Sequence, residues 1–335
     1  MCNINKHVFL LKIKILGIFI FSVLLCPLAI AATDNQCTSQ YTPWFTGPLI
    51  SPNAFVPLPG HFLIQPYLLD SRFNYVFDDN WHSHSTPTFN VFTPITLISI
   101  GIIDRLGFFI LPQMEINTTQ GRTSANINDL PLGLDYQIIK NDNPYGLPLI
   151  KLGARVILPI GKYQNLDPDK FATDSTGMGS VGTNVNLIFQ KLFHLTGTYY
   201  LRNRLSFLYT YYSPTHVEGF NTYGGGVGTN GRVYPGSIFT AIFASEFSLN
   251  QNWVISLDTQ YNHTNTTTFN GQAGFSSPGI LNNVGGPSRE SISFAPALEY
   301  NLSDHAGFIG GVWFAALGRN TMNFQNVAIS FYYNN

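Results

Sequence analysis

The stretch "WVISLDTQY", residues 253–261, constrains the fold more than any other part of the chain. Successive side chains of an extended strand point to opposite faces. Trp253, Ile255, Leu257 and Tyr261, with Thr259 among them, therefore share one side, and Val254, Ser256, Asp258 and Gln260 share the other. A soluble sandwich buries such an apolar stripe against its core. A membrane barrel turns it toward lipid and leaves Asp258 and Gln260 facing water inside. The rest of the chain decides between the two.

The same alternation recurs elsewhere. Leu130, Leu132, Leu134, Tyr136 and Ile138 oppose Asp129, Asp135 and Gln137, while Ile150, Leu152, Ala154, Val156 and Leu158 oppose Lys151 and Arg155. Phe239, Phe243 and Phe247 oppose Thr240 and Glu246, and Ile292, Phe294, Leu298 and Tyr300 oppose Ser291, Ser293 and Glu299. Only 10% of the residues are charged, against roughly a quarter in soluble domains. A sandwich would carry most of that charge on its loops. Here Lys151, Arg155, Glu246, Asp258 and Glu299 sit mid-strand, opposite the apolar face. Stretches 61–70 and 88–102 are apolar on both faces and do not discriminate. A net charge of -1 removes any case for nucleic acid as a partner through a basic patch.

Strands are expected near 61–70, 88–102, 106–117, 129–140, 147–158, 180–194, 204–212, 236–249, 252–263, 290–301, 306–318 and 325–333, with 192–205 the hardest stretch to divide. Short connections around 104–105, 141–146, 250–251 and 303–304 alternate with long ones at 71–87, 159–179, 213–235 and 264–289, and with shorter members at 118–128 and 319–324. An up-and-down transmembrane barrel sorts its connections in this way; a Greek-key sandwich has no reason to. The segments also meet the roughly 9–11 residues that a tilted strand needs to cross a bilayer. Tyr136, Tyr211, Trp253, Tyr261, Tyr300, Trp313, Tyr332 and Tyr333 lie at or near strand ends, where interfacial aromatics belong. The expected fold is all-β, a transmembrane antiparallel up-and-down β-barrel of about twelve strands. Closure of the last strand on the first would satisfy every backbone group without an exposed edge.

The N-terminus reads as a secretory signal over residues 1–31. Lys6, Lys12 and Lys14 precede an apolar run from Ile15 to Ile30, and Ala29, Ile30 and Ala31 offer an A-x-A site before Ala32. The alternative is an uncleaved anchor, since the run nearly reaches the length that suggests a span. Cleavage would leave Cys37 as the sole thiol, without an internal disulfide or a Cys-based metal site. Residues 32–60, rich in Pro, Asn and Thr, read as an extended leader and a possible plug, and 61–335 as the barrel. The last strand, "VAISFYY", alternates Val327, Ile329, Phe331 and Tyr333, and resembles the terminal signal of bacterial outer-membrane barrels. It implies export to that membrane, with its lipid and the barrel assembly machinery as partners. Asn334 and Asn335 follow the aromatic, where such chains usually stop.

Three stretches carry a more specific resemblance. "INDLPLGLDYQI" resembles the "GxGD-x-x-LGxxY" strand of the outer-membrane family named for the MetA-pathway of phenol degradation. "VILPIGKY" resembles that family's "LPTG" strand exit, and "GMGSVGTNVNLIFQKLF" its next strand, which opens with "GxGS". The three lie in order across about 70 residues. Asn128 stands where the family has Gly, and Ile160 where it has Thr. The resemblance implies a barrel that passes small, often hydrophobic or aromatic, compounds.

Motifs with chemical potential are few. "WHSHS" sets His82 and His84 two apart, able to share a metal with Asp78 or Asp79, or to be a solvated loop. "DPDKFATDSTG", 167–177, spaces its acids like a calcium loop but lacks the EF-hand order and closing Glu. "NTYGGGVGTNG", 221–231, is Gly-rich without the Lys-Ser/Thr of a phosphate cradle. A hydrolase would need a Ser activated by a His, and His194, His263 and His305 near strand ends lack a hydrolase context. No catalytic residue, metal or cofactor is assigned. The lumen is the expected functional surface, with Glu115, Asp135, Lys151, Arg155, Glu246, Asp258 and Glu299 as lining candidates. Facing charges of this kind either set selectivity or bridge one another across strands. Apolar inward positions such as Val254 and Phe109 would suit an aromatic guest. The expected role is passive passage of small-molecule solutes; a surface-adhesion or structural barrel, or an outer-membrane hydrolase, is the alternative.

Overall fold

A computed structural model describes residues 42–140, 146–277 and 279–335. The signal, its cleavage site, Cys37 and the first part of the leader lie outside the described residues, as does most of the turn expected at 141–146.

In chain order the strands are β1 (Phe62–Phe77), β2 (Ser83–Ile103), β3 (Leu106–Ile110), β4 (Met114–Thr119), β5 (Arg122–Ile127) and β6 (Leu130–Ile139). There follow β7 (Leu149–Leu158), β8 (Gly182–Thr196), β9 (Tyr199–Tyr212), β10 (Thr215–Glu218), β11 (Asn230–Tyr234), β12 (Ile238–Ser248) and β13 (Trp253–Thr264). The last are β14 (Thr268–Gln272), β15 (Phe275–Ser277), β16 (Ile280–Leu281), β17 (Arg289–Asn301), β18 (Ala306–Arg319) and β19 (Thr321–Asn334). β3 and β4 are halves of one barrel strand, parted at Pro112, whose missing N–H cannot join a ladder. β5 and β6 are likewise halves of one, parted at Asn128 and Asp129. β1 pairs with both β2 and β19, so twelve antiparallel strands close into a barrel without an edge.

The barrel is inside-out relative to a soluble protein. Trp253, Ile255 and Leu257 are 39%, 48% and 44% exposed, whereas Val254, Ser256 and Asp258 are at most 1% exposed. Water cannot be the medium for a continuous apolar exterior of this kind; hydrocarbon can. Around the end with the tight turns, aromatic pairs cross neighbouring strands: Trp253 with Tyr300 at 4.6 Å, Phe308 with Phe331 at 4.9 Å and Phe62 with Tyr333 at 6.0 Å. Trp313 and Tyr332 do not join this outer belt. Both lie on the inward face of their strands, and Tyr332 is buried.

Three expected loops are shorter than their composition suggests. β1 and β2 run on to a turn at residues 78–82, so 71–87 is largely strand. The connection 118–128 shrinks to a turn at Gln120 and Gly121, and 319–324 to a turn at Asn320, whose φ of 53° is left-handed. Ser, Thr and Asn in these stretches read as loop, yet a hairpin standing above the bilayer needs backbone pairing and no apolar face. The segments 159–181, 213–237 and 265–288 are the long connections. They build a small cap, with β11 between β10 and β14 and a core of Val217, Tyr223, Val233 and Val284.

At the other end, residues 42–61 enter and leave the barrel interior. The Trp44 N–H donates to the Gln251 carbonyl at 3.3 Å in the turn after β12. The segment then crosses the lumen and returns to the same end, where Gly60 and His61 bond to Gly101 of β2. An ideal Cβ on Gly101 would lie 2.0 Å from the Leu58 carbonyl oxygen, so only glycine lets the returning backbone pass so close to β2. The C-terminal asparagines help close the seam: Asn334 pairs with Leu63, and the Asn335 side chain accepts from the Phe62 N–H at 2.7 Å.

Candidate functional site in the barrel lumen

The lumen is a belt of charge wrapped around the inserted segment. Its charges arise from period-two alternation, which sends every second side chain of β6, β7, β9, β12, β13 and β17 inward. The Lys151 ammonium donates to Asp135 Oδ2 at 2.8 Å, and the Arg155 guanidinium reaches Asp135 Oδ1 at 3.5 Å. Glu246 accepts a bidentate pair from Arg202, at 2.8 and 2.6 Å. The two residues stand opposite each other in the register of β9 and β12, so backbone pairing aligns the fork before any charge is counted.

Asp258 and Glu299 accept from the backbone of the segment. Asp258 Oδ2 accepts from Leu49 N at 2.9 Å and Ile50 N at 3.4 Å, and Oδ1 from Ser51 N at 3.2 Å. Glu299 Oε2 accepts from Thr46 N at 2.8 Å and Gly47 N at 3.3 Å. Gln137 clamps the far stretch, accepting from Val56 N at 2.9 Å and donating to the Ala54 carbonyl. Leu49 packs into a notch of small inward residues, Ala295, Ala297 and Ala328, beside Ile309. Of the candidate lining residues, Asp135, Lys151 and Arg155 form one cluster, Glu246 a second, and Asp258 and Glu299 the anchor for the segment. Glu115 stands apart on β4, where it accepts from Asn128 Nδ2 at 2.5 Å.

Sequence reasoning missed Arg202, because the strand expected at 204–212 begins after it, and did not single out Arg204, the first residue of that strand. Tyr200, Arg202, Arg204 and Ser206 alternate against Leu201, Leu205 and Phe207, which is the signal that would have found them. The Arg204 guanidinium donates to Gln190 Oε1 at 2.8 and 2.6 Å and to the carbonyls of Ser51 and Pro52 at 3.3 and 3.0 Å. Between the segment and the β1–β3 wall remains a cavity of about 280 Å³. Its lining joins apolar Leu69, Ile95, Leu97 and Phe109 to cationic Lys151, Arg155, Arg202 and Arg204.

The motifs outside the lumen satisfy themselves. Asp78 accepts from His84 Nε2 at 2.8 Å and from the backbone N–H groups of Asn80 and His82. The His84 bond, then the two amides, hold its carboxyl down to about 2. Among the described residues no three side chains are placed to share a metal ion. In the 167–177 stretch, burial raises Asp174, but the Lys162 ammonium at 2.5 Å and the Asp167 amide outweigh it and leave the carboxyl below its usual range. Asn221 accepts from the N–H groups of Tyr223 and Gly225, making the Gly-rich stretch a turn of the cap. His194 stacks on Tyr200, His263 meets Glu290 and Asn265, and His305 meets Asn334.

The stretches that carry the family resemblance converge at one knot. Asp129 Oδ1 accepts from Gly161 N at 3.0 Å and Oδ2 from Met178 N at 2.8 Å. An ideal Cβ on Gly161 would sit 2.7 Å from the Gly177 Cα. Three segments far apart in the chain are thus pinned by one carboxylate and two glycines at the top of the barrel.

No protein-family model matches the chain, and no curated protein does. Solved structures do. The COG4313 outer membrane channel from Pseudomonas putida F1 is similar with a TM-score of 0.62 and 12% identity, over 85% of this chain and 100% of that one. The toluene transporters TbuX from Ralstonia pickettii and TodX from Pseudomonas putida each give a TM-score of 0.39 at 10% identity. They cover 82% and 84% of this chain, and 89% and 90% of their own. At these identities the likeness is one of fold: this chain is built as a twelve-strand transmembrane β-barrel of the outer-membrane kind.

Proposed function

We propose that the protein is a channel of the bacterial outer membrane, for passive passage of small, weakly polar compounds, hydrophobic or aromatic ones among them, and that residues 32–60 act as its plug. One observation carries the reading. The lumen is occupied by a segment of the same chain that is held chiefly by side chains of the wall and meets the barrel backbone only near its two ends, at Trp44 and at residues 59–61. Its removal leaves all twelve strand pairings in place. A barrel whose only task is mechanical gains nothing from a separable filling, whereas a conduit needs one to limit leakage.

The location rests on the lipid-facing exterior, the secretory signal read over residues 1–31 and the terminal "VAISFYY", which together imply assembly by the barrel machinery into outer-membrane lipid. The mixed lumen supports weakly polar solutes: its lining joins apolar side chains to charges of both signs, which disfavour bulk ion flow. The cap built on β10, β11 and β14 favours the second reading, surface adhesion, because it presents a folded surface above the membrane.

Reconstitution separates them. Purified protein in liposomes is expected to raise uptake of a small phenolic probe above that of protein-free vesicles, and to show conductance in planar bilayers. Both should rise further when residues 32–60 are removed. Correctly folded protein that gives neither, with or without that segment, would leave adhesion or a structural role as the better account.

A further inference from the structure

The 280 Å³ cavity beside the inserted segment has a chemistry narrower than "weakly polar". We propose that it is a binding site for small aromatic monocarboxylates. The proposal deepens the channel reading and rests on it, since it names the class of solute the lumen selects.

Charge is the first argument. Lys151, Arg155, Arg202 and Arg204 line the cavity, and Asp135 is the one carboxylate among its described lining residues. Glu246, the partner of Arg202, and Asp258, which holds the segment, stand behind it. With Glu299, also behind the segment, the carboxylates match the cations in number. Asp135 alone of the four lines the space, so the cations are presented to a guest and an anion is favoured there over a cation.

Arg155 is the second. Its side chain is 10% exposed, and its guanidinium lies 3.9 Å from the centre of the Phe109 ring. Its ion-pair contact to Asp135 is long, 3.5 Å, while Lys151 holds the other oxygen of that carboxylate at 2.8 Å. The Arg155 Nε is buried without a hydrogen-bond partner among the described residues, so the weakly held guanidinium that lines the cavity is short of acceptors. A buried donor left unmade is costly, and a carboxylate oxygen is the acceptor that a guanidinium edge fits best.

Shape and polarity supply the rest. Leu69, Leu97, Phe109 and Leu111 supply an apolar lining beside the cations, so a guest needs a hydrophobic body joined to one anionic head. A volume near the lower end of small-molecule sites, roughly 300 Å³, admits a single ring and not a long acyl chain. Phe109 offers its remaining surface for ring packing. A phosphate, doubly charged and lacking a hydrophobic body, would strand the apolar lining.

Calorimetry on the full-length mature protein in detergent tests this with benzoate, benzyl alcohol and benzylamine. Benzoate is expected to bind about tenfold or more tighter than benzyl alcohol, with benzylamine weakest. Arg155→Met should erase the difference between benzoate and benzyl alcohol, and Arg155→Lys should keep part of it. The comparison of probes on the unaltered protein stands even if a variant folds poorly. Equal affinity for benzoate and benzyl alcohol, or an undiminished preference in folded Arg155→Met, overturns the proposal. Uptake of the phenolic probe without any benzoate preference sinks the carboxylate site and leaves the channel. Benzoate preference without conductance or uptake sustains the site and sinks the channel.

Discussion

Asp258 Oδ2 accepts the backbone N–H of Leu49 at 2.9 Å, joining mid-β13 to a residue 209 positions earlier in the chain. With Ile50 and Ser51 bonded to the same carboxylate, this side chain is the chief latch of the segment inside the barrel. Asp258→Ala removes the acceptor of three amides, each worth about 1 kcal/mol or more when buried. The barrel pairing of β13 is untouched. Conductance in planar bilayers is expected to rise in the direction of the form lacking residues 32–60, while Asp258→Asn, which keeps one acceptor oxygen, should give a smaller rise. Unchanged conductance would show that Glu299, Gln137 and Arg204 hold the segment without Asp258.

The exterior makes a prediction of opposite kind. Leu257 faces outward beside Asp258 in the middle of β13. Leu257→Arg places a charge in hydrocarbon and should destabilise the barrel by about 2–4 kcal/mol. Urea unfolding from lipid vesicles measures it. A cost near zero would mean that this face does not meet lipid.

Gly153 sits between two inward side chains. An ideal Cβ there would lie 2.3 Å from Asp135 Oδ1 and 2.4 Å from Asn186 Nδ2. Gly153→Ala must therefore turn the Asp135 carboxylate away and loosen its grip on the buried Lys151. The expected loss is about 1–3 kcal/mol, read as a lower temperature for conversion of the folded to the unfolded band in detergent gels. The strand itself gains propensity from the change, so a loss of stability would report the lumen.

The β1–β2 tip has a pH dependence. The His84 bond first, and the two backbone amides after it, depress Asp78 from 3.8 to about 2. A depressed acid contributes stability above its unfolded value and loses it as pH falls through the folded one. Amide exchange at Asn80 and His82 should therefore be slow at pH 5 and accelerate between about 4 and 2. Asp78→Asn should exchange fast throughout that range.

Most of the fold was legible because lipid and lumen are read one side chain at a time. The alternations at 129–140, 147–158 and 252–263 became β6, β7 and β13 with the expected faces. The departures have separate causes. Residues 71–87 and 118–128 were read as loops because their polar composition resembles a turn, although paired backbone above the membrane needs no apolar stripe. Trp313 and Tyr332 were placed by distance from a strand end, and their parity along β18 and β19 sends them inward instead. Arg202 was hidden by a misplaced strand start, and Arg204, at that start, was not singled out.

The sequence by itself determined that this chain forms a transmembrane barrel and, in the strands that alternate, which side chains face lipid, because burial with period two is a local property of each strand. Only the tertiary structure decided what occupies the lumen and which of its charges remain for a guest. Thr46 and Glu299 meet across 253 positions, and the carboxylates that hold the segment recognise its backbone N–H groups. Every residue but proline carries that group, so nothing in the side chains of "TGPLIS" could announce the contact. The lining of the cavity follows from the same fact: Asp258 and Glu299 turn to the peptide amides of the segment, while Lys151 and Arg155 stand on the cavity wall.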